Sequence, residues 1–308
     1  MKTILILTDF SVRAGYAAEF AMQVAISNKA NLLLCHAIES NPHFAYDIDI
    51  NIPEVDNLDT LKYDSILDLK NVVKRLKKLV SPDEESFKPA INYTTSFGNL
   101  ADVAKDVIKQ QSVDLVVMAS HRSDTLSRFL SRNHIHTLLD KIDCPLLLIP
   151  ECVPFKGISN IGYATDLSFT NNKVVSYLTE MAKPFNASVT VNHICPPLKN
   201  VKELPQITEY PLTKYSDIKY STVFYHHKEN NVKTGLMEMA RFQKLDILAL
   251  VHKRYDFFEG LFHSSVSKAM ADLAIIPMLV LPYSFTEDMT GISEEQLDQY
   301  CYHTGDWR

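Results

Sequence analysis

The stretch "ILILTDFS", Ile4 to Ser11, runs through four apolar residues and a threonine and then meets a carboxylate, Asp9. A continuous β-rich apolar run reads as a strand buried on both faces, the kind that builds parallel sheets. A charge at the end of such a strand needs a reason. The same ending recurs in "IGYATDLS", Ile161 to Ser168, which puts Asp166 at an offset of 157 residues from Asp9.

Working outward, His36 in "NLLLCHA" meets His193 in "SVTVNHI" at that same offset. Further on, Asp114 in "VDLVVMA" meets Asp246 in "LDILALV", and Pro145 in "CPLLLIP" meets Pro277 in "IPMLVLP", both at an offset of 132 residues. Landmarks in one order with two constant offsets indicate a duplication with a deletion inside the second copy. The expected organisation is a first domain over residues 1–150, a second over 155–283, and a tail over 284–308.

Each copy alternates short apolar strands with amphipathic helical segments. Strands are expected near Thr3–Thr8, Asn31–Ala37, Ala90–Thr95, Leu115–Ala119 and Leu146–Pro150 in the first copy. The second copy's are expected near Ser159–Thr165, Ser188–Ile194, Lys219–Tyr225, Ile247–Val251 and Met278–Pro282. The segments "AGYAAEFAMQVAIS" and "LADVAKDVIKQQ" carry apolar residues at helical spacing. Strand–helix alternation implies crossover connections and a parallel sheet. The fold class is therefore α/β: two tandem doubly wound, Rossmann-like parallel-sheet domains.

Composition agrees with a soluble globular chain of about two domains: 308 residues, 46% hydrophobic and 22% charged. A net charge of −6, with no dense basic run, argues against nucleic acid as partner. No apolar run reaches the roughly 18 residues of a spanning helix, and the first residues do not read as a signal peptide. The five cysteines are odd in number and scattered, as in a reducing cytoplasm. The expected protein is cytoplasmic, with no membrane partner.

In an open parallel sheet, ligands bind beyond the carboxyl ends of the strands, where the strand order reverses. Asp9 and Asp166 end the first strand of each copy, where a carboxylate can accept hydrogen bonds from a ligand hydroxyl or amine. The competing reading is that each Asp caps the helix starting after Ser11 or Ser168. One residue can serve both ends.

The chain resembles the universal stress protein family in its tandem two-domain form. The resemblance rests on "ILILTDFS", "NLLLCHA" and "VDLVVMASHRSDTLSRFLSRNHIHTLLDKIDCPLLLIP". In the second copy it rests on "IGYATDLS", "SVTVNHI" and "LDILALVHKRYDFFEGLFHSSVSKAMADLAIIPMLVLP". It implies an adenine-nucleotide-alpha-hydrolase-like fold and pairing of the last strands, Leu146–Pro150 with Met278–Pro282, into an intrachain pseudo-dimer. That pairing would protect two sheet edges. It also implies a base pocket at Asp9 with Ala37, and at Asp166 with Ile194.

Nucleotide-binding members carry Gly, two residues, Gly, nine residues, then Gly-Ser or Gly-Thr, so that backbone N–H groups can grip phosphate. Here the glycine positions fall on Ala119, Arg122 and Arg132, with Asn133 at the hydroxyl position. In the second copy they fall on Val251, Arg254 and Ser264, with Ser265 at the hydroxyl position. All six glycines are missing. The three arginines could offer cationic contacts to an anion, or form a solvated loop face. The resemblance thus implies a non-enzymatic stress-response protein with a nucleotide-type pocket and a degenerate phosphate loop. The alternatives are an ATP or AMP binder acting through the second copy, with slow hydrolysis, and a module for another small-molecule ligand in the same crevice. A homodimer is a further expectation.

Other candidates are weaker. His36 and His193 read as hydrogen-bonded structural histidines. His134 and His136, two apart on a predicted helix, do not share a face and suit a metal poorly. Between Ile38 and Thr60 lie six acids and no Lys or Arg, and "DIDIN" lacks the glycine and final glutamate of a calcium loop. That stretch reads as a solvated insertion. "SEEQ", Ser293 to Gln296, reads as a capping box opening a short helix in the tail.

Overall fold

The computed structural model describes residues 2–39, 54–80, 86–120, 132–151, 153–165, 172–193, 232–252 and 276–285. Two compact units divide the chain: Met1–Lys156 with Met270–Pro282, and Gly157–Ala269 with Tyr283–Arg308.

Unit 1 begins with β1 (Thr3–Leu7), α1 (Val12–Asn28), β2 (Asn31–Ile38), α2 (Glu54–Lys77) and β3 (Ile91–Phe97). It continues with α3 (Leu100–Gln111), β4 (Leu115–Ala119), α4 (Arg132–Lys141) and β5 (Leu146–Ile149). The strands lie in the order β3-β2-β1-β4-β5, all parallel, so the order reverses between β1 and β4. Unit 2 contains β6 (Asn160–Thr165), α5 (Asn172–Ala182), β7 (Ser188–His193), α6 (Val232–Phe242) and β8 (Ile247–His252). Here β6 lies between β7 and β8, parallel to both. The last strand, β9 (Met278–Pro282), belongs with unit 1 because it pairs antiparallel with β5.

Burial explains the apolar runs. Ile4, Leu5 and Ile6 of β1, and every residue of β4 and β5, are buried, as in a sheet covered on both faces. Helix α1 buries Ala14, Ala17, Ala18, Ala21 and Ala25, small side chains that let it lie close over β1 and β4. Helix α3 is capped by the Asn99 side chain, which accepts from Asp102 N at 3.0 Å. Its Asp102 is joined to Lys141 of α4 at 2.5 Å. This surface ion pair links the two helices, which pack on each other.

The two offsets of the sequence reappear as geometry. Asp114 Oδ2 accepts from Lys2 N at 2.6 Å and Thr3 N at 3.0 Å; Asp246 Oδ2 accepts from Ser159 N at 2.7 Å and Asn160 N at 2.9 Å. The register Ile4↔Leu32 and Ile4↔Leu115 in unit 1 is repeated as Ile161↔Val189 and Ile161↔Ile247 in unit 2. The left-handed residues that stop the helices recur too: Lys29 and Asn186 at one offset, Ser112 and Lys244 at the other.

Two expectations need adjustment. Residues 54–60 of the insertion are helical backbone at the start of α2, while residues 58–60 are exposed as a solvated segment would be. Strand β3 runs on to Phe97, two residues beyond its expected end, because its ladder with β2 continues to Ile38↔Phe97. The expected strand Lys219–Tyr225 and the "SEEQ" helix lie outside the described residues.

Candidate functional site at the carboxyl end of the unit 1 sheet

Asp9 lies two residues past the end of β1, beside the β1/β4 reversal. The ladders put its neighbours at the same level. Leu7 pairs with Cys35, so Ala37 is two steps further along β2; Ile6 pairs with Val117, so Ala119 closes β4 beside Thr8. Thus Asp9, Ala37 and Ala119, singled out separately in the sequence, gather on one edge of the sheet. Ala37 and Ala119 are buried, so what they can offer at this edge is backbone.

The turn that carries Asp9 is tightly specified. Thr8 is buried and its N–H donates to Cys35 O at 3.0 Å. Phe10 adopts a left-handed φ of 60° and its N–H donates to Thr8 Oγ1 at 3.1 Å. Asp9 Oδ1 accepts from Ser11 N at 3.0 Å and from Ser11 Oγ at 2.5 Å. Ser11 itself caps α1, its Oγ accepting from Ala14 N at 3.2 Å. The cap is therefore the serine, and the aspartate holds the cap. Among the described residues, Oδ2 of Asp9 takes no hydrogen bond. This divides the two readings of Asp9 between its two oxygens.

Next to it stands a polar cluster that the sequence did not reveal. His36 Nδ1 lies 2.8 Å from Ser65 Oγ, Ser65 Oγ donates to Thr95 Oγ1 at 2.9 Å, and Thr95 Oγ1 donates to His36 O at 3.0 Å. The Phe10 ring packs on the His36 ring, with centroids 4.4 Å apart. Burial lowers the His36 pKa below its ordinary value, while Asp9 and Asp68 pull it upward. The half-buried, hydrogen-bonded His36 matches the structural reading of this residue. Ser65 and Thr95 went unnoticed; the available signal was one polar residue, Ser65, on the buried stripe of α2 with Leu69, Val73 and Leu76.

In unit 2, Val251 is buried inside β8. Neither Val251 nor Ala119 has positive φ, so the backbone at these two positions does not itself require glycine. Arg132 and Asn133 open α4, and their side chains lie outside the described residues, as do Arg122, Asp166, Ile194, Arg254, Ser264 and Ser265. A separate part-buried network joins β7 to the end of α6. Gln243 Nε2 donates to Asn192 Oδ1 at 2.6 Å, and Thr190 Oγ1 donates to Gln243 Oε1 at 3.0 Å. Burial pushes the Cys35 and Cys144 thiols up to about 12, which keeps both protonated and inert. No group of described His, Cys, Asp or Glu residues could hold a metal ion, and no described helix is long and apolar enough to cross a membrane.

Comparison with known proteins agrees with this architecture. The universal stress protein family model matches residues 1–150. No curated protein matches the chain. Among solved structures, the chain is similar to a universal stress protein from Archaeoglobus fulgidus DSM 4304, with 10% identity and a TM-score of 0.61, covering 91% of this chain and 96% of that one. It is also similar to a functionally unknown protein from Pseudomonas aeruginosa PAO1, with 12% identity and a TM-score of 0.52, covering 92% of each. At such identities the likeness speaks for fold alone, and it extends over both units. Residues 1–150, with their strand order and their Asp9 turn, are the part of the chain that matches the universal stress protein family.

Proposed function

We propose that this is a stress-response protein acting by binding rather than by catalysis, with its ligand at the carboxyl edge of the unit 1 sheet. The observation that carries the reading is Asp9, with Oδ1 fixed by both donors of Ser11 and Oδ2 directed to no described partner. A carboxylate held in this way is preorganised to accept from a ligand hydroxyl or amine, as a ribose or an adenine provides. Ala37 and Ala119 beside it would contribute backbone groups.

The adenosine-type part of the site is the retained part. Arg122, Arg132 and Arg254 stand at glycine positions of the phosphate loop, so phosphate would be met by flexible side chains instead of backbone N–H groups. The second half, residues 155–283, is proposed as a second copy of the same domain. The matching aspartate clasps, registers and left-handed caps support this. The reading also places the protein in the cytoplasm.

Isothermal calorimetry on the full chain tests this with adenosine and with ATP. The two are expected to bind within about tenfold of each other, and Asp9→Ala is expected to weaken adenosine by about tenfold or more. Adenosine binding unchanged in Asp9→Ala would overturn the site. ATP binding about a hundredfold tighter than adenosine, and lost in Ser265→Ala, would favour a working nucleotide site in the second copy instead.

A further inference from the structure

We infer that the β3 edge of unit 1 is a self-association surface at which a second copy of this chain adds its own β3, antiparallel, to extend the sheet. Strand β3 lies at the end of the unit 1 order and, among the described residues, pairs on one side only, with β2.

The direction of its open groups follows from two hydrogen bonds. Leu32 N donates to Ala90 O at 2.9 Å and Gly98 N donates to Ile38 O at 3.0 Å. In a parallel ladder this turns the backbone groups of residues 92, 94 and 96 toward β2. The N–H and C=O groups of Ile91, Tyr93, Thr95 and Phe97 therefore point away from the sheet.

Natural edge strands are usually guarded by charge, proline, a bulge or short length. None of these guards is present. "INYTTSF" has seven residues with no charge and no proline, and its register with β2 runs unbroken from Ile91 to Phe97. Tyr93 and Phe97 are 38% and 40% exposed.

A second copy fits this edge by symmetry. With a two-fold axis at Thr94, Tyr93 opposes Thr95 of the second copy and Ile91 opposes Phe97, each pair exchanging two backbone hydrogen bonds through the outward groups just named. Between them, Asn92 opposes Ser96 and Thr94 opposes itself, so no like charges meet. The axis also sets two α2 helices antiparallel on one face of the joined sheet. In helix α2, Asp59 near the start and Lys77 at the end are eighteen residues apart and so lie on one stripe of the helix, away from the stripe of Arg75 that meets Glu19 of α1. Antiparallel placement matches the acidic part of one to the basic part of the other.

The test is sedimentation equilibrium of the full chain from about 1 to about 100 μM. The wild type is expected to dimerise. Asn92→Lys with Ser96→Lys puts like charges opposite one another and is expected to weaken the dimer at least about tenfold, while Asn92→Lys with Ser96→Glu restores it. Both positions are exposed, and Asn92→Glu with Ser96→Glu gives the same logic if the double-lysine variant folds poorly. A wild type that stays monomeric, like-charged variants with unchanged affinity, or a failure of the opposite-charge variant to restore it would each overturn the inference.

Discussion

Leu147 of β5 pairs with Leu279 of β9, and each is the other's equivalent at the offset of 132 residues. The flanking pairs, Leu146↔Val280 and Leu148↔Met278, are also exchanged equivalents. The join is therefore self-matching, and both leucines are fully buried in it. Leu279→Ala and Leu147→Ala should each cost about 2–5 kcal/mol by denaturant unfolding. The two values should be close, because each leucine is the other's ladder partner and both are fully buried. A cost below about 1 kcal/mol for either would contradict this packing.

The aspartate clasps predict a matched pair of losses. Asp114 and Asp246 each accept two backbone N–H groups at the start of a strand. Removing either carboxylate takes away charge-assisted hydrogen bonds to partly exposed groups. Asp114→Ala and Asp246→Ala are each expected to lower stability by about 1–3 kcal/mol, with Asn substitutions milder. Urea titrations of the four variants measure the difference.

A size exchange separates the two units. A Cβ added at Gly162 would collide with Cδ1 of Leu245. The positions 157 and 132 residues earlier hold a larger residue, Leu5, and a smaller one, Val113. Gly162→Ala is expected to destabilise by about 1–3 kcal/mol, and adding Leu245→Val to recover part of that loss. Thermal unfolding of the single and double variants gives the coupling. Additive effects would show that the contact is not limiting.

The ring of hydrogen bonds around His36 fixes its tautomer. Thr95 spends its only proton on His36 O, so Ser65 must donate to Thr95, and Ser65 can then only accept from His36 Nδ1–H. Neutral His36 should carry its proton on Nδ1, which nitrogen NMR can read. Burial, the largest influence, lowers the pKa from 6.5. The unfolded chain then takes up the proton first as pH falls, so stability present above about pH 6.5 is lost progressively below it. Comparing unfolding free energies at about pH 7.5 and about pH 5, His36→Asn should show a smaller drop than wild type, and an equal drop would refute the assignment.

Much of this was legible in the chain itself. The strands Leu115–Ala119 and Met278–Pro282 and the helix Leu100–Gln111 stand where the apolar pattern put them. Asp9, Ala37 and Ala119 do share an edge, because strand ends in a parallel ladder are set by local apolar length. Helix α2 was obscured by its acidic start, since charge there resembled a solvated loop. Ser65 and Thr95 were invisible because their bonds to the His36 residue span 29 and 59 positions, far beyond any local periodicity.

The sequence by itself determined the repeated pattern of landmarks, the α/β alternation and the carboxylate at the end of each first strand. These depend on side-chain period and on residue identity at fixed spacing, which one chain carries locally. Only the tertiary structure decided that β9 completes unit 1, that Ser11 caps while Asp9 braces it, and that His36 closes a ring with two hydroxyls. Those arrangements arise when strands take a register and helices settle on them, and contacts between distant segments have no signature until the register is set.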